Sequence, residues 1–333
     1  MRLFLAGLAL VLVAACSPGN TDTSANPSGS SEPGHGSGKP NPPHAPPSGD
    51  AHAEGCPGDF NLSRSVREFA CDGVWVKPMP RRMVPQGLAL GRESTVYLSG
   101  YLHAAPGNRP CQVLQADRDT GRVVARVARI EGRVGAGETT FCRHGGGIGL
   151  NASGLWVAET RRLWLLDPAA VEAGTDPVVR AWDLAAPVRG SAMTVTPHRI
   201  GLAGFTKTLP GKLRWYDVDK VLAGGVTTLG TTTRGSMVGP VAKRSTPSLI
   251  QGVTLGPGGV WFSRSQTRCG VLSGPQGDLE FQPGAEGIAF SDRHHVWVVS
   301  ESGSNRFRRL GDRPVIPTLT RIDIRTLGDS PGC

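Results

Sequence analysis

Several signatures of chemistry are missing from this 333-residue chain. No His-Glu-x-x-His pair and no phosphate-binding glycine loop occurs, so the common zinc-protease and nucleotide-binding signatures are absent. No Cys-x-x-Cys spacing is present, which argues against a structural zinc or a dithiol redox centre. The N-terminal apolar run, Leu3 to Val13, is too short to span a bilayer as a stable helix. The net charge of +9 is scattered rather than clustered, which excludes a nucleic-acid partner in favour of a solvated surface attracted to anionic polymers or lipids.

What is present begins with a targeting signal. Arg2, the Leu3–Val13 run and Ala14-Ala15 before Cys16 have the layout of an export peptide, residues 1–15. Val13-Ala14-Ala15-Cys16 resembles the bacterial lipobox, which implies diacylation of Cys16 (the palmitate class of modification) and an extracytoplasmic, lipid-anchored place on the cell membrane. From Ser17 to Gly55 the chain is Ser, Gly, Pro, Asn and His with almost no bulky apolar residue. Residues 16–55 therefore read as the lipidated cysteine and an extended tether. His35, His44 and His52 have no fixed spacing and belong to that linker composition.

Residues 56–333 form one domain, and its signature is repetition. A polar or small residue, Gly or Ala, then an apolar-small-apolar run occurs five times, starting at Gln86, Gly146, Ser191, Gln251 and Glu286. Each copy is followed by a second strand-like run, among them Val96-Tyr97-Leu98, Leu155-Trp156-Val157, Val260-Trp261-Phe262 and Val296-Trp297-Val298. Strand-only units repeated at several tens of residues predict an all-β propeller of four-stranded blades, five in number with six as the alternative. Third strands end on Asp117, Asp167, Asp217 and Asp323, read as turn staples. Fourth strands are expected at 123–127, 178–182, 226–229 and 279–282. The fifth unit lacks one, and Gly73-Val74-Trp75-Val76 is expected to close the ring as an N-terminal outer strand. The recurring aromatics Tyr97, Trp156, Trp261 and Trp297 read as packing between blades.

Six cysteines remain after Cys16. Cys71 with Cys333 would lock the ring, Cys111 with Cys142 would join adjacent units, and Cys56 with Cys269 is left by elimination.

First strands begin, and second strands end, on one face of such a fold. The long connections 102–110, 131–145, 232–248 and 302–317 are expected to gather there, and binding residues favour long loops on a rigid scaffold. Candidate ligand-binding residues at this mouth are Gln86, His144, Glu159, Ser191, Gln251, Arg264, Glu286 and Glu301, with Ser300 beside them. They differ from unit to unit where structural positions repeat. His294 and His295 fall on the opposite, short-turn face.

Ala285-Glu286-Gly287-Ile288-Ala289 and Gly154-Leu155-Trp156-Val157-Ala158-Glu159 resemble the first and second strands of bacterial gluconolactonase and NHL-repeat propellers. The resemblance implies a six-bladed ring, a lactonase-like hydrolase and a divalent cation such as Ca2+ held by Glu, Asn and Asp in the channel. Glu286 matches such a metal position, while Gln86, Gly146, Ser191 and Gln251 stand at the others. The first expectation is therefore an anchored binding protein without a cofactor, taking a small molecule, an envelope polymer or a protein. The alternative is a metal-dependent hydrolase.

Overall fold

The computed structural model describes residues 70–103, 109–266, 269–308, 319–330 and 332. The export signal, Cys16, the tether, Cys56, Cys333 and the Cys71 side chain lie outside them, as do the pairings that involve those cysteines.

The repeats fold into antiparallel sheets whose strands follow one another outward from a central axis. Sheet I contains Met83–Leu90, Thr95–Leu102, Cys111–Asp117 and Val123–Val127. Sheet II begins Gly147–Asn151, Gly154–Ala158, Arg162–Leu166 and Val178–Leu184. Sheet III is Ala192–Val195, Arg199–Ala203, Gly211–Asp217 and Ala242–Thr246. Sheet IV is Ile250–Gly256, Gly259–Gln266, Cys269–Gly274 and Gly277–Phe281. Sheet V is Ala285–Phe290, His295–Ser300 and Leu319–Asp323, completed at its outer edge by Ala70–Val74. Four sheets thus have the expected four strands. Sheet II has six, because Thr228–Leu229 and Met237–Val238 add in parallel outside Val178–Leu184.

That addition corrects the sequence reading of 226–229. The segment does not complete sheet III; it crosses to the neighbouring sheet, and the outer strand of sheet III is Ala242–Thr246. The latter reads Ala-Lys-Arg-Ser-Thr, with its central residues exposed, so no apolar alternation marks it. Residues 232–241 consequently connect third and fourth strands and leave from the face opposite the mouth. Connection 131–145 is likewise not plain loop, for it holds the hairpin Glu131–Arg133 and Thr139–Phe141.

The core lies between sheets. Tyr97 of sheet I packs with Ile148 and Trp164 of sheet II, and Trp156 and Trp182 with Met193 and Tyr216 of sheet III. Leu213 of sheet III meets Val253 and Phe262 of sheet IV, and Trp261 meets Ile288 and Val298 of sheet V. Trp297 and Leu319 return to Leu88 and Leu98 of sheet I, which closes the ring. Each fully buried aromatic or aliphatic side chain here contributes roughly 1.5–3 kcal/mol. In sheet III the aromatic's place in the second strand is Gly201. Trp215, its partner on the third strand, fills that space, coming within 3.0 Å of where a Cβ would stand.

The first strands approach one another so closely that the second residue of the motif must be small. A Cβ on Gly287 would stand 2.3 Å from Leu88 N, one on Gly252 2.4 Å from Glu286 O, and one on Gly147 2.6 Å from Met193 N. Between these strands the axis leaves a cavity of about 10 Å³, the room of a single water.

The aspartates ending third strands are structural, as expected, but three of them cap helical turns. Asp167 accepts from Ala169 N at the start of Pro168–Ala173, Asp217 from Lys220 N at Val218–Leu222, and Asp323 from Arg325 N at the 3-10 turn Ile324–Thr326. Asp117 alone staples a turn, through Thr120 N and Ser94 Oγ. Among the described residues, no helix is long and apolar enough to cross a membrane.

Candidate functional site

Three of the five motif-initial residues sit on β-bulges. Register slips between Pro85 and Gly87, Ile250 and Gly252, and Ala285 and Ile288 place the irregularities at Gln86, Gln251 and Glu286. A bulge re-aims a side chain that alternation would send into the sheet interface. Gln86 and Glu286 are thereby brought together with Glu301, which the 3-10 turn Glu301–Gly303 presents. That turn is capped by Ser300 Oγ on Ser302 N and tied by Glu301 N to Gly284 O at 3.0 Å.

The two carboxyls are hydrogen-bonded to each other, and Gln86 Nε2 donates to Glu301 Oε2 at 3.2 Å. Burial lifts the Glu286 carboxyl well above the usual range, and the Glu301 charge lifts it further, so the pair favours holding a proton between them. Among the described residues, Glu286 Oε1 has no hydrogen-bond partner. Glu286 is 1 % exposed, Gln86 4 % and Glu301 8 %, so this cluster is sealed from solvent. Beside it, the helical turn Asn305–Arg308 places Phe307 against Val84 and Tyr101, and Arg306 donates to the Tyr101 hydroxyl. Desolvation, opposed by Arg306 and Arg109, holds the Tyr101 phenol up at about 12.

Tyr101 continues the site outward. Its ring stacks on His144, centroids 4.7 Å apart, and the Arg109 guanidinium lies 5.5 Å above it. His144 has φ 82°, an uncommon conformation for a residue with a side chain, and is held there by its N–H on Arg109 O at 3.1 Å. Burial, with Arg109 and Arg306 nearby, lowers its imidazole to about 4, so it is neutral at physiological pH. The Cys111–Cys142 disulfide ties the two segments together (Cα–Cα 5.3 Å), with Cys111 N on Cys142 O and a bridge pairing Pro110 with Arg143. Cys269 is also disulfide-bonded.

Beyond His144 opens a pocket of about 540 Å³. Arg109, Arg143, Arg161 and Arg162 line it, with Thr140, Thr160, His144 and Glu159. Glu159 is buried, accepts from Arg143 N at 2.7 Å and Arg162 Nη1 at 3.1 Å, and is raised in pKa by desolvation against those partners.

Of the sequence candidates, the fold thus joins Gln86, Glu286 and Glu301 in one buried cluster and His144 with Glu159 in one open pocket. Arg264 leaves the group: it reaches Asp278 at 2.6 Å and Ser273 on the outer strands, and Ser248 O ahead of the first strand. Ser191 is used by its backbone, which closes over Gly146, and Gln251 lies half-buried at its bulge. His295 stays on the opposite face with Asp292. Tyr101, Arg109, Arg143, Arg161, Arg162 and Arg306 were missed. Tyr101 stands four residues after the recurring aromatic, the place Glu301 holds in sheet V, so the repeat count could have found it.

A hard divalent cation takes six or more oxygens. Here the channel offers two carboxyls hydrogen-bonded to each other and an amide turned by its nitrogen toward one of them. Among the described residues no three His, Cys, Asp or Glu side chains gather as ligands. The donor set does not fit a lactonase-type metal.

No family model matches the chain, and no curated protein matches it. Among solved structures it is similar to a PQQ-bound aldose sugar dehydrogenase from Streptomyces coelicolor, at 13 % identity and TM-score 0.40, over 76 % of this chain and 97 % of that one. An oxidoreductase of glucose dehydrogenase type from Thermus thermophilus gives 15 %, 0.38, 76 % and 86 %. A chain in a nidogen/laminin complex gives 11 %, 0.37, 66 % and 73 %. At such identities and TM-scores these likenesses carry no argument about this chain; its own sheets make it a β-propeller of four-stranded blades.

Proposed function

We propose that the chain is a lipid-anchored extracytoplasmic propeller, five-bladed when the six-stranded sheet is counted as a blade, which binds a ligand at its mouth without chemistry on it. The observation that carries this reading is the open 540 Å³ pocket on the long-loop face, walled by His144 and Glu159. Its size suits a small ligand. The carboxyls that a hydrolase would need lie buried and hydrogen-bonded to each other. The lipobox-like Val13–Cys16 and the tether supply the anchor.

The pocket is tested by a thermal-shift screen of small molecules on the wild type and Thr140→Trp, which fills the pocket. Ligands that raise the melting temperature should do so through mass action and lose the effect in the variant. Hits indifferent to the substitution would place binding elsewhere. The anchor is tested by labelled-palmitate incorporation, expected in the full chain and absent from Cys16→Ala.

A further inference from the structure

The arginine side of the pocket has a charge problem that the protein alone does not solve. Four arginines, Arg109, Arg143, Arg161 and Arg162, line one recess. Arg162 is paired with Glu159 and Asp183. Among the described residues, no carboxylate lies within ion-pair distance of Arg109, Arg143 or Arg161. Like charges gathered in a concave site raise the local potential and attract counter-ions. The two best-placed guanidiniums are also pre-oriented: Arg109 stacks over Tyr101 and Arg143 over Phe141 at 4.8 Å, which leaves their planar N–H edges for a partner. Both sit next to the Cys111–Cys142 disulfide, so the walls that carry them are fixed before anything binds. Thr140 and Thr160 add hydroxyl donors, and Glu159, the carboxylate in the lining, is taken up by Arg143 N and Arg162.

We infer that this pocket binds a small, multiply charged oxyanion, carrying phosphate or carboxylate groups, between Arg109, Arg143 and Arg161. The inference deepens the binding reading above and rests on it. Bidentate guanidinium contacts to planar or tetrahedral oxyanions are the strong form of hydrogen bond available here. The phosphate and carboxylate classes share that chemistry, and the two are separated by the probes.

The experiment is calorimetric titration of the full-length chain with pyrophosphate, with citrate and with neutral glucose, all at one ionic strength set with sodium chloride. Saturable binding of pyrophosphate or citrate is expected, and whichever binds more tightly names the class. The double variant Arg143→Gln/Arg161→Gln should bind about tenfold or more weakly. Arg199→Gln/Arg244→Gln, which removes the same charge from exposed positions elsewhere, should leave binding unchanged. Equal loss in both double variants, or none in either, would overturn the inference, since attraction would then come from net charge or from another site. Glucose binding that Thr140→Trp abolishes, with both anions inert, would overturn the oxyanion class while sparing the binding reading. No probe bound and no screening hit sensitive to Thr140→Trp would overturn both.

Discussion

Replacing Gly287 by alanine probes the closure of the ring at its tightest seam. The new Cβ would stand 2.3 Å from Leu88 N, 2.6 Å from Gly87 C and 2.7 Å from Gly87 Cα, where ordinary contact begins at 3.4 Å. All three atoms are backbone of the neighbouring first strand, so no rotamer change relieves the clash and the two strands must part. Overpacking of this kind costs about 1–3 kcal/mol, and backbone on both sides puts it at the upper end. Gly→Ala also lowers the entropy of the unfolded chain, which returns about 0.4–1 kcal/mol. The net loss is about 2 kcal/mol. For a domain of this size each kcal/mol moves the melting temperature by about 2–4 °C, so a fall of roughly 4–8 °C is expected. Thermal unfolding followed by circular dichroism reads this directly. Gly224→Ala is the control, since among the described residues no atom lies within 4 Å of its Cβ position. If Gly287→Ala melts with Gly224→Ala, the first strands of sheets V and I are not packed edge against edge and the reasoning fails.

Other consequences follow from the site. Opening the Cys111–Cys142 bond with Cys111→Ala/Cys142→Ala frees a separation of 31 residues. By loop entropy this costs about 3–4 kcal/mol, to be read from the midpoint of denaturant unfolding, and an unchanged midpoint would contradict it. The raised Glu286 carboxyl holds a proton in the folded chain that the unfolded chain releases above its ordinary value. Stability therefore falls as pH rises from that value through the folded one. Glu286→Gln removes this term, so the wild-type minus variant difference in melting temperature should decline steadily above about pH 4.5, and a flat difference would argue against a shared proton. His144, lowered to about 4, should show no imidazole titration by NMR between pH 8 and pH 5. A midpoint near 6.5 would mean that the ring is solvated rather than packed on Tyr101.

The repeat was legible because each first strand needs a small residue where its neighbour's backbone passes, and each second strand places its central residue between sheets. Gly87, Gly147, Gly252 and Gly287, with Tyr97, Trp156, Trp261 and Trp297, therefore carried the architecture openly. The Cys111–Cys142 bond followed from the same unit-to-unit register. The sheet III crossover was hidden, because Val226 to Leu229 has the apolar pattern of an outer strand whichever sheet it joins, and Ala242–Thr246 has none. In the site, first-strand positions located Gln86 and Glu286, but periodicity says nothing of depth. The group those residues meet, Glu301, is carried by a non-repeating 3-10 turn, and which arginines converge depends on a hairpin and a disulfide between sheets I and II. Such loop-borne contacts leave no repeating trace.

The account turns on which polar groups at the mouth are within reach of solvent. Side-chain labelling read by mass spectrometry measures this in one experiment, with phenylglyoxal for guanidiniums and a carbodiimide for carboxyls. Arg143 and Arg161 should react early and be protected by pyrophosphate or citrate, while Glu286 stays unmodified in the folded chain. Fast carbodiimide labelling of Glu286, with Arg143 and Arg161 no more reactive or protectable than exposed Arg199, would contradict it.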